Sequence, residues 1–383
     1  MELAVNKEPH KIPDTVEKTE FFDTVDEALT FAAPQGTCVY ALGVDDTERI
    51  LRAGYRLVND PNDADVVLAR GGEREAAAAR RACRTQKLVL APTHAYISCA
   101  ADIYRDADGT FARLVRGAKP CAAVFDESDA DPNLASIFGE IAALDLCAFD
   151  MTFGARMSGQ KPNSRVETEI AELVSKLTAE LKAVEKDREA SAKKLVTFGK
   201  TAARITERYP ELLHRSGATQ MSEALRMLYA AEERPLGMRG ETEMLLSAFV
   251  TDFYIKNLNG NGMEFPPDNG RRMDALTEYF GADLRRACLY TAPIYPPLKM
   301  RLCEYRRNEF KTEFASKLAA LKTRQSAAFR VFKRLYPDDG YGIRTMIDRT
   351  DLGICLALAP DVFNADTMLS FLKQAGKLDK YMV

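Results

Sequence analysis

The sequence predicts an α/β protein in two parts, a parallel-sheet domain over residues 1–150 and an all-helical domain over 151–383. Three observations predict it. Short β-branched runs alternate with helical patterns in the first 130 or so residues, the arrangement that builds a parallel sheet with helices on its faces. A polar connector, 151–163, carries Gly154, Gly159 and Pro162. Beyond it, apolar residues recur at helical spacing with no strand-rich segment.

Residues 1–20, with Pro9 and Pro13, read as an arm or an edge segment. A helical pattern covers 21–33. TCVYAL (37–42) reads as a buried strand, 45–53 as a short helix and 55–58 as a second strand. DVVLA (65–69) is a third strand and runs into Arg70, Gly71 and Gly72. An alanine-rich helix covers 73–84, and a fourth strand, 87–91, leads to Pro92 and Thr93. A hairpin about Asp108-Gly109-Thr110-Phe111 follows, then a buried strand ending at Asp126 and a helix entered through Gly139 and Glu140. In the second part, Ser164 and Glu167 have capping-box spacing, and Val166, Ile170, Leu173, Val174, Leu177, Leu181 and Val184 share one helical face. Further helical patterns lie near 190–208, 220–232, 241–257, 270–280, 301–335 and 364–375.

The bulk numbers exclude several classes. With 53 basic and 56 acidic residues the net charge is -3, so no basic field favours nucleic acid, and no nucleic-acid-binding motif is present. The longest apolar runs, such as 352–360, fall short of a membrane span. The N-terminal stretch lacks the apolar core of a secretory signal. Eight cysteines are scattered with no CxxC pair, which reads as buried free thiols in a reducing, cytoplasmic setting.

The Gly71-Gly72 turn stands where a nucleotide-binding α/β fold binds its ligand, at the carboxyl end of a strand and the start of a helix. Backbone N–H groups there favour a phosphate. Glu73 and Glu75 in the first helical turn compete with one.

The order of Pro92-Thr93, Tyr104, the Asp108–Phe111 turn, the AVFD strand, Pro132 and Phe138-Gly139-Glu140 resembles the iron-containing alcohol dehydrogenase superfamily, with its glycerol dehydrogenase, glycerol-1-phosphate dehydrogenase and dehydroquinate synthase branches. The resemblance implies a Rossmann-like domain followed by an all-helical one. It implies NAD or NADP lying across Gly71, Gly72, Pro92, Thr93 and Ser98, a small-molecule substrate and a homo-oligomer. It also implies a divalent metal held by an acidic residue and histidines. The acidic ligand matches Glu140, but the first histidine place resembles Glu243, which Thr242 or Ser247 could equally occupy, the second resembles Asn261, and no histidine follows His214. Zinc or iron is therefore not expected to bind tightly, because imidazole is what normally holds these ions. Three functions follow from the resemblance: an NAD(P)-dependent alcohol or polyol-phosphate dehydrogenase with a degenerate metal site, a catalytically silent member used for ligand binding or assembly, and a dehydroquinate synthase-like lyase.

Overall fold

The computed structural model describes residues 18–45, 47–106, 113–184, 186–260, 296–336, 347, 349–359 and 366–378. Its first part holds a 6-stranded, all-parallel sheet. The strands are β1 (Glu20–Phe22), β2 (Cys38–Leu42), β3 (Arg56–Leu57), β4 (Val66–Gly71), β5 (Lys87–Pro92) and β8 (Ala122–Val124), with a separate hairpin of β6 (Ile103–Asp106) and β7 (Arg113–Arg116). Across the sheet the order is β3-β2-β4-β5-β8-β1. The central strands β4 and β5 are nearly continuous apolar runs because helices cover both of their faces. The helices of this part are α1 (Val25–Ala32), α2 (Thr47–Arg52), α3 (Glu73–Ala82) and the short α4 (Glu127–Ala130).

From Leu134 onward every regular element among the described residues is helical. The centre is α5 (Leu134–Met157), buried around its whole circumference. A helix apolar on all sides must be enclosed by others. Here α6 (Ser164–Val184), α7 (Arg188–Arg208), α8 (Gly217–Ala231), α9 (Arg239–Leu258) and the helix Asn308–Leu335 all pack against it. Helices Leu298–Tyr305, Arg349–Leu358 and Met368–Gln374 complete this part.

Three expectations are corrected. Phe21 and Phe22 belong to edge strand β1 rather than to a helix, because Thr24 caps α1 and its residues can begin only at Val25. Gly139 and Glu140 do not open α5 but lie in its second turn. Nor does the connector begin at 151, for α5 runs on to Met157. Gly154, read as a breaker, is a packing residue: a Cβ there would stand 2.4 Å from the Asp366 carbonyl oxygen. Helix Arg349–Leu358 fell in an apolar stretch noted only as too short for a membrane. No helix among the described residues is long and apolar enough to cross a membrane. The Asp108–Phe111 turn and the 270–280 pattern lie outside the described residues.

Candidate functional site

From β2 the chain first steps outward to β3 and then returns to β4 on the other side. This reversal puts a crevice beyond the carboxyl ends of β2 and β4, the place where open α/β sheets bind ligands. Gly43 closes β2 with φ 64, and Gly71 closes β4 with φ 140. Glycine is needed at both for the backbone and for the close approach. A Cβ on Gly43 would lie 2.2 Å from the Arg70 carbonyl oxygen, and one on Gly71 would meet the Glu75 carboxylate at 2.7 Å.

Glu75 fills this crevice. Its side chain turns back over the start of α3 and accepts the Gly72 N–H at 2.9 Å. The helix thus carries its own anion on a donor that a phosphate would use. The His94 ring packs against Gly72, so that a Cβ there would be 2.5 Å from the ring. Burial pulls the His94 pKa below its ordinary value, against the opposing pull of Glu73 and Glu75. Thr93 is held by its N–H on the Gly71 carbonyl (2.9 Å) and its hydroxyl is 3.1 Å from His94 Nδ1. The Ser98 hydroxyl is used locally, donating to the Ala95 carbonyl at 3.1 Å.

Gly71, Gly72, Pro92 and Ser98 line one small cavity, with Thr93 beside them. The cavity they line leaves about 10 Å³, roughly one water molecule. A dinucleotide needs free backbone donors and room at this turn. Here the Gly72 N–H is already taken by Glu75, and the cavity is too small for a phosphate group.

Toward the helical part lies a buried ionic cluster. α5 and α9 cross at a glycine pair, Gly139 and Gly240, where a Cβ on Gly240 would stand 1.9 Å from the Ser136 carbonyl oxygen. That contact brings Glu140 and Glu243 to one region. Glu140 Oε1 accepts the Ala95 N–H at 2.7 Å, while Oε2 is buried with no hydrogen-bond partner among the described residues. Burial, helped by Glu73, pushes its carboxyl up to about 8; the Ala95 N–H and Arg239 pull the other way.

Glu243 is engaged by Arg239, whose Nε donates to it at 2.7 Å. Arg239 also donates to Glu73 of α3 and, at 3.1 Å, to the Leu213 carbonyl. Arg105 of the hairpin lies 3.9 Å from Glu73 and pairs with Glu223 of α8, which Arg226 also meets. Burial raises the Glu73 pKa, but Arg239 and Arg105 outweigh it and hold the group below its ordinary value. Glu73 and Glu243 in turn hold the Arg239 pKa above its ordinary value despite burial.

Glu140 and Glu243 lie within electrostatic reach of one another, and the cation beside Glu243 is the Arg239 guanidinium. Among the described residues no group of three or more His, Cys, Asp or Glu is arranged to hold a metal ion. Asn261 lies outside the described residues.

Sequence reasoning missed Gly43, Arg80, Arg105 and Arg239. Arg80 is buried and donates to the carbonyls of Ala101 (2.7 Å), Ala118 (2.9 Å), Cys99 (3.1 Å) and Ser98 (3.3 Å), fixing the loop after Thr93. A glycine directly after a strand was a usable signal for Gly43. The arginines gave none: Arg80 and Arg239 on helices and Arg105 on a hairpin strand all read locally as surface charge.

No family model matches the chain, and no curated protein matches it in sequence. Solved structures do match its fold. An archaeal halo-thermophilic alcohol dehydrogenase from a Red Sea brine pool, in a histidine-to-alanine mutant form, aligns over 98% of this chain and 99% of its own, at 12% identity and a TM-score of 0.53. The same enzyme with a ligand bound aligns over the same shares at 11% identity and a TM-score of 0.53. An iron-containing alcohol dehydrogenase from Corynebacterium glutamicum aligns over 84% of this chain and 97% of its own, at 12% identity and a TM-score of 0.46. The chain shares the fold of this archaeal alcohol dehydrogenase over nearly its whole length, in a widely diverged sequence.

Proposed function

We propose that this chain is a catalytically silent protein on the dehydrogenase fold, one that has replaced cofactor and metal with its own side chains and serves in ligand binding or assembly. One observation carries the reading: Arg239 joins Glu73, from the helix that would receive a cofactor phosphate, to Glu243, from the helix that would supply a metal ligand. Glu75 on the Gly72 N–H supports it from the cofactor side. A cleft whose charges are already paired with one another gives a pyrophosphate or a cation little to gain. A cation at Glu243 would have to displace the buried Arg239–Glu243 pair, and breaking such a pair costs about 3–5 kcal/mol.

The dehydrogenase reading keeps one support, the fold match over nearly the whole chain. It requires Glu75 and His94 to leave the glycine turn. Titration with NADH and NADPH, followed by nicotinamide fluorescence, separates the two readings. The expected result is no saturable change at millimolar cofactor. Saturable binding of either cofactor would restore an NAD(P)-dependent dehydrogenase.

A further inference from the structure

Glu73 is held as a ligand would be held. Its carboxylate accepts from Arg239 and lies 3.9 Å from Arg105 Nη1, at the first residue of α3. Both arginine side chains are largely buried, 13% and 7% exposed. Each has a second acid of its own, Glu243 for Arg239 and Glu223 for Arg105. Without Glu73 the arginines would keep these partners and still face a place shaped and charged for one more carboxylate. We propose that Arg239 and Arg105 form a carboxylate-binding subsite in the cleft, that Glu73 is its resident occupant, and that a small monocarboxylate is the ligand it takes when Glu73 is withdrawn. The proposal deepens the silent reading, on which it rests.

The charge balance favours a monoanion. Arg105, Arg226 and Arg239 face Glu73, Glu223 and Glu243, with Glu140 beside them. Among the described residues, Glu73→Ala therefore takes one carboxylate away from beside Arg239 and Arg105. Glu243 at the edge of the same cluster weighs against a dianion such as phosphate. Size follows from the side chain: Glu73→Ala deletes one methylene and the carboxylate, which together have the heavy atoms of acetate.

Thermal unfolding of the full chain tests this. Glu73→Ala is expected to melt below wild type, and acetate is expected to raise its midpoint saturably, with butyrate weaker. Wild type and Glu73→Gln, whose subsite stays filled, should show only the small common effect of added salt. A folded Glu73→Ala protein that responds to acetate no more than wild type does would overturn the proposal. So would equal rescue by acetate and butyrate. If Glu73→Ala does not fold in chloride buffer, refolding yield with and without acetate becomes the readout, and an equal failure in both overturns it. NADH binding to wild type would remove the silent reading yet leave the acetate result unchanged, so the two failures are distinguishable.

Discussion

Gly139 and Gly240 meet backbone to backbone where α5 crosses α9; a Cβ on Gly139 would lie 2.1 Å from the Gly240 carbonyl oxygen. Side chains are excluded from both helices at that point, and this brings Glu140 and Arg239 within electrostatic reach of one another. Alanine normally favours a helix over glycine by about 1 kcal/mol. Here the added methyl meets a carbonyl that cannot move without shifting α5. Gly240→Ala is therefore expected to destabilise the protein by about 2 kcal/mol or more. Urea denaturation would measure it, and a neutral or stabilising substitution would show that the crossing is looser than described.

Much of the sheet was legible because buried parallel strands write themselves as unbroken apolar runs: Val66–Gly71 and Lys87–Pro92 stand almost where β-branched composition put them. The glycine turn was legible for the same local reason. Chemistry across the cleft was not. Glu73 and Arg239 are 166 positions apart, and each reads locally as a helix-surface charge. The start of α5 was misplaced because Gly139 looks like a boundary in one dimension and is a contact in three.

Asp150 ties two helix starts to α5. Its Oδ2 accepts the Gly217 N–H at 2.8 Å and the Tyr254 hydroxyl at 3.1 Å, and its Oδ1 accepts the Met368 N–H at 2.9 Å. Asp150→Ala leaves three buried donors without this acceptor and is expected to cost about 3 kcal/mol or more. Burial pushes the Asp150 carboxyl up to about 7 from 3.8, against the pull of these donors. A raised folded pKa means that the folded state binds the proton more tightly. The contribution to stability is therefore full below about 4 and is lost as pH rises toward about 7. Asp150→Asn should lack that slope in denaturation midpoints taken across the window.

His214 predicts the opposite slope. It is buried beside Arg215 and Arg239, and burial first, then those two charges, pull its pKa from 6.5 down to about 3. The folded state excludes the proton that the unfolded chain accepts. Stability from this group is present above 6.5 and is lost as pH falls toward about 3, by an amount on the order of a few kcal/mol. Comparing His214→Asn with wild type in unfolding between pH 7 and pH 4 would isolate it. Parallel curves would mean that His214 is protonated in the fold or solvated in place.

Glu140 holds the loop that follows the glycine turn. Ala95 has φ 64 and ψ 37, a left-handed conformation that costs a non-glycine residue roughly 1 kcal/mol or more. The Glu140 carboxylate, accepting the Ala95 N–H, holds the residue there and joins α5 to the sheet part. In Glu140→Ala that amide loses its acceptor, a loss of about 1.4 kcal/mol and so about tenfold in local opening. Global stability should fall by less, because the same substitution removes a carboxyl whose burial is itself unfavourable. Hydrogen exchange resolved at Ala95 is the measurement. Its protection should drop about tenfold in Glu140→Ala and persist in Glu140→Gln, which keeps an acceptor oxygen at the same reach. Unchanged protection in the alanine variant would mean that the loop is held by Arg80 and the sheet alone, and that Glu140 does not join the two parts.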